Sequence, residues 1–247
     1  MGGANKGHRP KDNDAFIGKW HQSVKALGLP ATIFHDGLGQ NFTRFYTTDK
    51  IKSIQIPLLT RLSPIDERFV IWLEYLRDNP AKYVLMTDLN DVVLAKNPFE
   101  FMEQKRRDYD VWVGSEGMAG RLEHNRWMTA NYKDCYGPGV GGVGGRDKGI
   151  VYNSGVIGGK YPAIMELLEH MLCEFVSIEE KRAHKVGHHM ACDMAVFSHC
   201  LLHYVGVRDG FWKPGPHALR VFTGSPFHSG YKKKEDPAKK KYYIYHK

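Results

Sequence analysis

One short stretch constrains this sequence more than any other. A largely apolar run, Tyr83–Thr87, leads without interruption into the polar residues 88–91, which read Asp-Leu-Asn-Asp. An apolar run without alternation is typical of a strand buried on both faces, as in the centre of a parallel sheet. Ligands of open α/β sheets bind beyond the carboxyl ends of the strands. The sequence therefore predicts a central strand that ends at a functional site.

The polar residues after this strand offer hard oxygen ligands. Asp88 and Asp91 supply two carboxylates, and Asn90 adds a neutral amide oxygen. A turn at this point lets the carboxylates converge, and a divalent cation such as Mn²⁺ or Mg²⁺ prefers such ligands. Asp and Asn are also frequent in turns and helix caps. The turn alone therefore leaves metal binding and a purely structural role open.

Helical and strand-like segments alternate along the 247 residues, which indicates one α/β domain with an open, mixed, mostly parallel sheet flanked by helices. No internal repeat or linker divides the chain, so residues 1–247 are predicted to form a single domain. Residues 1–13 and about 229–241 are expected to be flexible. The predicted helices are 14–27, 63–76, 98–107, part of 117–133, 163–181 and 190–204, and the predicted strands are 31–35, part of 51–59, 83–88, 110–115, 150–153, 219–223 and 242–245.

Composition places the chain among globular proteins, because 42% of its residues are hydrophobic and 25% are charged. No apolar run approaches the roughly 18 residues of a membrane-spanning helix. The polar start of the sequence lacks the apolar core of a secretory signal, so a cytoplasmic location is expected. The sequon Asn41-Phe42-Thr43 matters only if the chain enters a secretory lumen.

The cysteines form no C-x-x-C pair, and their scatter is typical of free thiols in a reducing compartment, although spacing alone does not rule out a disulfide. They are Cys135, Cys173, Cys192 and Cys200.

The formal net charge of +8 favours an anionic partner. A pyrophosphate-containing molecule, an acidic lipid and nucleic acid all fit this charge, and a run of lysines is also typical of a solvated loop. Nucleic acid is the less favoured partner because the sequence has no recognisable binding motif or basic helix. The lysines concentrated near the end of the chain are Lys232, Lys233, Lys234, Lys239, Lys240 and Lys241.

Residues 83–102 (YVLMTDLNDVVLAKNPFEFM) resemble the D-x-D region of GT-A fold glycosyltransferases, especially retaining enzymes similar to family 8. In that family an apolar strand leads into D-x-D, and the metal bound there bridges the donor diphosphate. This chain has D-x-N-D, so Asp88 pairs with either Asn90 or Asp91. The resemblance implies a single GT-A-like, Rossmann-related domain that binds Mn²⁺ or Mg²⁺. It also implies a UDP- or GDP-sugar donor and a glycan or glycoprotein acceptor.

Two further segments carry the resemblance. Residues 152–157 (YNSGVI) are similar to the family's N-(A/S)-G-V segment, which lies near the donor sugar. Asn153 there offers both a hydrogen-bond donor and an acceptor, and Gly155 lets substrate approach the backbone. Asp193 opens an apolar helix and resembles the acid that contacts the sugar or, in inverting relatives, acts as base. Asp193 and Asn153 are therefore the predicted catalytic residues, and the stereochemistry stays open.

The resemblance also implies a late histidine as metal ligand and a nearby lysine for the diphosphate. His246 with Lys247 and His228 with Lys232 both match this pattern. His246 is preferred because it closes a strand, which positions a ligand better than a loop does. The Gly-rich residues 137–149 are predicted to form a flexible loop that closes over the donor.

A different enzyme class uses the same kind of acidic pair. A metal-dependent phosphohydrolase or nucleotidyltransferase remains an alternative, although such two-metal sites need more clustered carboxylates than the sequence shows.

Overall fold

The structure is a computed structural model of the chain that describes residues 14–57, 62–115, 125–137, 151–182, 191–203, 219–223, 228–230 and 242–246. The helices in these ranges are α1 (Asp14–Ala26), α2 (Gln40–Tyr46), α3 (Pro64–Asp78), α4 (Pro98–Gln104), α5 (Arg126–Tyr136), α6 (Tyr161–Arg182) and α7 (Asp193–His203). The strands are β1 (Ala31–His35), β2 (Ile51–Gln55), β3 (Tyr83–Thr87), β4 (Val92–Leu94), β5 (Val111–Ser115), β6 (Tyr152–Lys160), β7 (Val221–Thr223), β8 (His228–Gly230) and β9 (Ile244–His246).

The described strands pair in mixed directions. A four-stranded sheet has the order β3-β6-β5-β7, in which β6 runs antiparallel to both neighbours and β7 parallel to β5. β1 and β2 form a parallel pair, and β4, β9 and β8 form a third sheet. The α/β architecture is thus confirmed, with three parallel and three antiparallel strand pairs in the described ranges.

The expectation of a central parallel strand at Tyr83–Thr87 is wrong, because β3 pairs antiparallel with β6. The apolar run has another cause. Val84 and Met86 belong to one hydrophobic core, whereas Tyr83 and Leu85 pack against a second core. A strand covered on both faces needs apolar residues at every position, whichever way its neighbours run.

Helices cover both faces of the four-stranded sheet. In β5, Val111 and Val113 lie in the core with α3, α5, α6 and α7. Trp112, between them, lies in the other core with α1, α2 and α4. Because successive side chains of a strand point to opposite faces, this alternation places the sheet between two helical layers.

Local sequence determines several element boundaries. Ser63 caps α3 by accepting the N–H of Asp66 on its side-chain oxygen at 3.2 Å, and Pro64 follows as the first helical residue. Asn97 and Pro98 begin α4 in the same way. The strand predicted at 150–153 instead begins at Tyr152 and continues to Lys160. Three glycines within it weaken the strand pattern, because glycine is a poor strand former in sequence terms.

Cys135 and Cys192 form a disulfide, so the expectation of free thiols is wrong for these two residues. The bond links α5 to the residue that precedes α7. The two cysteines lie 57 residues apart, and only the packing of α5 against α7 brings them together. Cys173 and Cys200 are free thiols. Within the described ranges no helix is long and apolar enough to cross a membrane.

Candidate active site

Three potential metal ligands converge where β3, β4 and β9 end or begin. Asp88 follows β3, Asp91 precedes β4, and His246 is the last residue of β9. β4 and β9 pair antiparallel with Val92 opposite His246, which brings the histidine beside the acidic turn. The Nε2 atom of His246 lies 3.3 Å from Oδ1 of Asp91 and 3.8 Å from Oδ2 of Asp88. One ligand atom from each of the three residues lies within 4.8 Å of the others.

The electrostatics of this group suit a cation. Burial raises the pKa of Asp88, and the carboxylates of Asp91 and Asp193 raise it further, while Arg68 and His246 oppose the shift. Oδ1 of Asp91 is buried and accepts no hydrogen bond within the described part of the chain. A buried carboxylate oxygen that accepts no hydrogen bond is costly, and this one has Nε2 of His246 at 3.3 Å. Two carboxylates and an imidazole therefore fit a divalent cation.

Gly155 of β6 lies directly against two of these ligands. Its carbonyl oxygen accepts the N–H of Asp88 at 2.8 Å. A Cβ atom at this position would lie 2.5 Å from Oδ2 of Asp88 and 2.5 Å from Cε1 of His246. The side-chain oxygen of Asn153 accepts the N–H of Gly155 at 2.8 Å. The glycine predicted to admit substrate thus also makes room for the ligands themselves.

Arg68 of α3 connects the metal group to Asp193. Its Nη1 donates to Oδ1 of Asp88, and its Nη2 donates to Oδ2 of Asp193 at 2.9 Å. The hydroxyl of Ser154 donates to the same Asp193 oxygen at 2.8 Å. One guanidinium therefore fixes two carboxylates from distant parts of the chain. Sequence reasoning did not identify Arg68.

Asp66, two residues before Arg68 in α3, holds the start of α7 in place. Both of its carboxylate oxygens accept the backbone N–H of Cys192, at 2.8 and 3.1 Å. Burial raises the pKa of Asp66 to about 6, against the opposing hydrogen bonds from Ser63 and from the backbone. Because Cys192 immediately precedes Asp193, this contact and the disulfide of Cys192 both restrain the position of Asp193.

The structure brings some of the predicted site residues together. Asp88, Asp91 and His246 form one group, Asp193 joins it through Arg68, and Asn153 adjoins it through Gly155. Asn90 is exposed in the turn between β3 and β4. The backbone of His228 lies in β8 opposite Ile244. Outside the described residues lie the side chain of His228, Lys232, Lys247 and most of the Gly-rich segment, namely 138–149.

The contacts of Arg68 and Asp66 span 20 to 126 residues in sequence, which local pattern reading does not detect. One signal was available. The first turns of α3 place three consecutive charged residues, Asp66 to Arg68, directly before the apolar stretch Phe69–Leu73. Asp66 and Glu67 are both buried. Charged residues are rarely buried unless they are paired.

An apolar cavity of about 370 Å³ lies between β1 and β3 and extends to the acidic turn. Thr87 and Leu89, on either side of Asp88, are among its lining residues. Its walls include Trp20, Phe34 and Tyr75. The volume is within the range of small-molecule sites, and aromatic walls suit a planar ligand.

Solved structures share the fold of this chain. Two structures of the galactosyltransferase LgtC, one of an active-site mutant and one with donor and acceptor sugar analogs, match with TM-scores of 0.51 and 0.50. Each is 11% identical, and each match covers 96% of this chain and 84% of the other. Mouse xyloside xylosyltransferase 1 in its apo form matches with a TM-score of 0.50 at 14% identity, over 93% of this chain and 91% of that chain.

No protein-family model matches the sequence, and no curated protein matches it. The similarity to solved structures therefore shows the fold, and it confirms at that level the resemblance to GT-A fold glycosyltransferases.

Proposed function

We propose that this protein is a metal-dependent glycosyltransferase that moves a sugar from a UDP- or GDP-sugar to a hydroxyl group of a glycan or glycoprotein. The observation that carries the proposal is the convergence of Asp88, Asp91 and His246 on one divalent-cation site within a GT-A fold. The likeness of that fold to a galactosyltransferase and a xylosyltransferase supports sugar transfer as the reaction class.

Asp88, Asp91 and His246 would hold the cation. Carboxylates suit both Mg²⁺ and Mn²⁺, whereas an imidazole ligand favours a softer ion than Mg²⁺, so Mn²⁺ fits the set better. When bound, such an ion supplies positive charge that stabilises a diphosphate leaving group. Lys232 and Lys247 are proposed to contact the same phosphates, as the sequence resemblance implies.

Arg68 holds Asp88 and Asp193 in fixed positions relative to each other. It neutralises the carboxylates of Asp88 and Asp193, which would otherwise repel each other across the site. Its guanidinium packs 4.9 Å from the centre of the Phe69 ring, which limits its freedom to turn away. The donor therefore meets side chains whose positions are already fixed, and this lowers the entropy cost of orienting it.

Asp193 is proposed to orient the donor sugar together with Asn153. The Oδ2 atom of Asp193 already accepts hydrogen bonds from Arg68 and from Ser154. These two contacts occupy Oδ2 and hold the carboxylate in one orientation. This arrangement favours a binding role over proton abstraction, and it supports retention of stereochemistry. The cavity between β1 and β3 is proposed to receive the base of the nucleotide.

A donor screen tests the proposal. The protein is incubated with UDP- and GDP-sugars and Mn²⁺, Mg²⁺ or EDTA, and the release of nucleoside diphosphate is measured with and without sugar acceptors. We expect release from one nucleotide sugar, dependent on the metal and lost in Asp91→Asn. Asp78→Asn, on the exposed end of α3, is the matched control and should retain full activity.

The same samples distinguish the alternatives. Release of inorganic phosphate from simple phosphate esters, with no cleavage of any nucleotide sugar, would instead identify a phosphohydrolase. Salt-sensitive binding to generic DNA without either activity would identify a nucleic-acid-binding protein.

A further inference from the structure

The disulfide bears on where this chain folds. Cys135 and Cys192 are buried, with 5% and 1% of their surfaces exposed. Redox-sensing and catalytic disulfides are accessible to reductants, whereas a bond this enclosed is structural. Structural disulfides form and persist in oxidising compartments and are rare in the cytosol. The disulfide therefore favours an oxidising compartment over the expected cytoplasmic location.

In such a compartment the sequon Asn41-Phe42-Thr43 becomes relevant. It is the only N-x-S/T sequence among the 247 residues. Helix α2 buries Phe42 and Tyr46, whereas Asn41 lies on its exposed side. An oligosaccharide on Asn41 would therefore extend into solvent without displacing any part of the core.

An exposed aromatic residue lies beside this asparagine. Phe45 is 69% exposed, the largest exposed fraction among the large hydrophobic residues described. It follows Asn41 by four residues in α2, and residues at this spacing are neighbours on one face of a helix. Aromatic rings bind the apolar face of a sugar ring. A sugar attached to Asn41 would therefore cover an apolar surface that the chain otherwise leaves in water.

We propose that Asn41 carries an N-linked glycan that is added in the secretory lumen and covers Phe45. The side-chain nitrogen of Asn41 forms a bond to C1 of an oligosaccharide carried on a lipid diphosphate. The bond from C1 to the diphosphate breaks, the lipid diphosphate leaves, and the amide nitrogen loses one proton. This modification is independent of the proposed transferase activity, and neither result decides the other.

The test is mass spectrometry of the protein purified from its source cells. Peptide N-glycosidase F in heavy-oxygen water converts a glycosylated asparagine to a labelled aspartate. We expect the label at position 41, and we expect the peptides of Cys135 and Cys192 to be recovered as a disulfide-linked pair. An unlabelled Asn41 in folded protein would overturn the proposal, as would free thiols at both cysteines in a cytosolic fraction.

Variants expressed in the secretory lumen of cultured cells test whether the sequon at Asn41 is recognised for glycosylation. Asn41→Gln should abolish the enzyme-sensitive shift in mobility, and Thr43→Ser should retain it because serine preserves the sequon. Asn41 is exposed and Thr43 is half-buried, and an intact disulfide reports that each variant is folded.

Binding of an apolar dye tests whether the glycan covers Phe45. Removal of the glycan should increase dye binding to the native chain and leave dye binding to Phe45→Ser unchanged. An equal increase in both proteins would contradict the contact with Phe45.

Discussion

The backbone of Gly155 is hydrogen-bonded to Asp88, and the space that its missing side chain leaves is occupied by the Asp88 carboxylate. The Gly155 carbonyl accepts the Asp88 N–H at 2.8 Å, and an added Cβ would lie 2.5 Å from the carboxylate oxygen. β6 is a central strand of the four-stranded sheet and β3 pairs with it along five residues, so the two backbones cannot easily move apart. The fit between these two residues therefore fixes the position of Asp88, one of the candidate metal ligands.

Gly155→Ala should weaken metal binding, because the added methyl group displaces Asp88 or His246. We expect the affinity for Mn²⁺ to fall by about tenfold or more, the loss typical when the support of a ligand is altered. Gly18→Ala is the matched control, since no atom lies within 4 Å of an added Cβ in α1. It should leave the affinity unchanged and stabilise the protein by about 0.5–1 kcal/mol. If calorimetry gives equal Mn²⁺ affinities for Gly155→Ala and Gly18→Ala, the added methyl group at position 155 does not displace Asp88 or His246.

Arg68→Lys should lower transfer activity by about 100-fold, because a single ammonium group does not bridge two carboxylates as a guanidinium does. The comparison is kcat/KM for the donor identified in the screen. Arg77→Lys, on the same helix, is the control. Arg77 is 55% exposed and contacts Glu169 at 3.9 Å. The transfer activity of Arg77→Lys should therefore differ little from that of the wild type. Activity retained in Arg68→Lys would show that the bridge is dispensable.

Asp66 should make the free energy of unfolding depend on pH. Its pKa is raised from 3.8 to about 6, so the folded state binds the proton more tightly than the unfolded state. The carboxyl therefore destabilises the fold progressively as the pH rises through about 4 to about 6, and the loss is complete above this window.

As the pH rises from about 4 to about 7, the free energy of unfolding of the wild type should fall by about 3 kcal/mol relative to that of Asp66→Asn. Asparagine cannot titrate, yet its amide oxygen can still accept the Cys192 N–H. Urea unfolding of both proteins across this range measures the difference. If the free energies of unfolding of the two proteins change with pH in the same way, groups other than Asp66 cause the pH dependence.

Loss of the disulfide should destabilise the fold by about 4 kcal/mol, the loop-closure value for cysteines 57 residues apart. The double variant Cys135→Ala/Cys192→Ala should unfold at a lower urea concentration than the wild type. Reductant should lower the wild-type midpoint to a similar value and leave the variant unchanged. Cys173→Ala alters an exposed free thiol and should behave as wild type. A wild-type midpoint that is insensitive to reductant would contradict a stabilising bond.

Sequence patterns predict most of this fold because many elements begin and end with local signals. Ser63 and Pro64 mark the start of α3, and β1 has the predicted bounds, 31–35. Short elements such as β4 and β8 lack such signals, since three residues carry too little periodicity. Strand direction was also beyond prediction, because a strand buried on both faces looks the same in parallel and antiparallel sheets.

The candidate site was likewise only partly predictable from the sequence. Asp88, Asp91 and His246 follow or precede strands, so their residue types and positions were readable from the sequence. The contacts of Arg68 with Asp193 and of Cys135 with Cys192 join helices far apart in the chain. Such contacts depend on how α3, α5 and α7 pack, and a single sequence does not encode that packing in any local pattern.

Calorimetric titration of Mn²⁺ in the presence of UDP or GDP tests the metal site most directly. Wild-type protein should bind one Mn²⁺ ion, and Asp91→Asn and His246→Ala should each bind it at least about tenfold more weakly. Asp78→Asn should match the wild type, because that carboxylate is exposed at the far end of α3. If the wild type, Asp91→Asn and His246→Ala bind Mn²⁺ with equal affinity, these residues do not form the metal site.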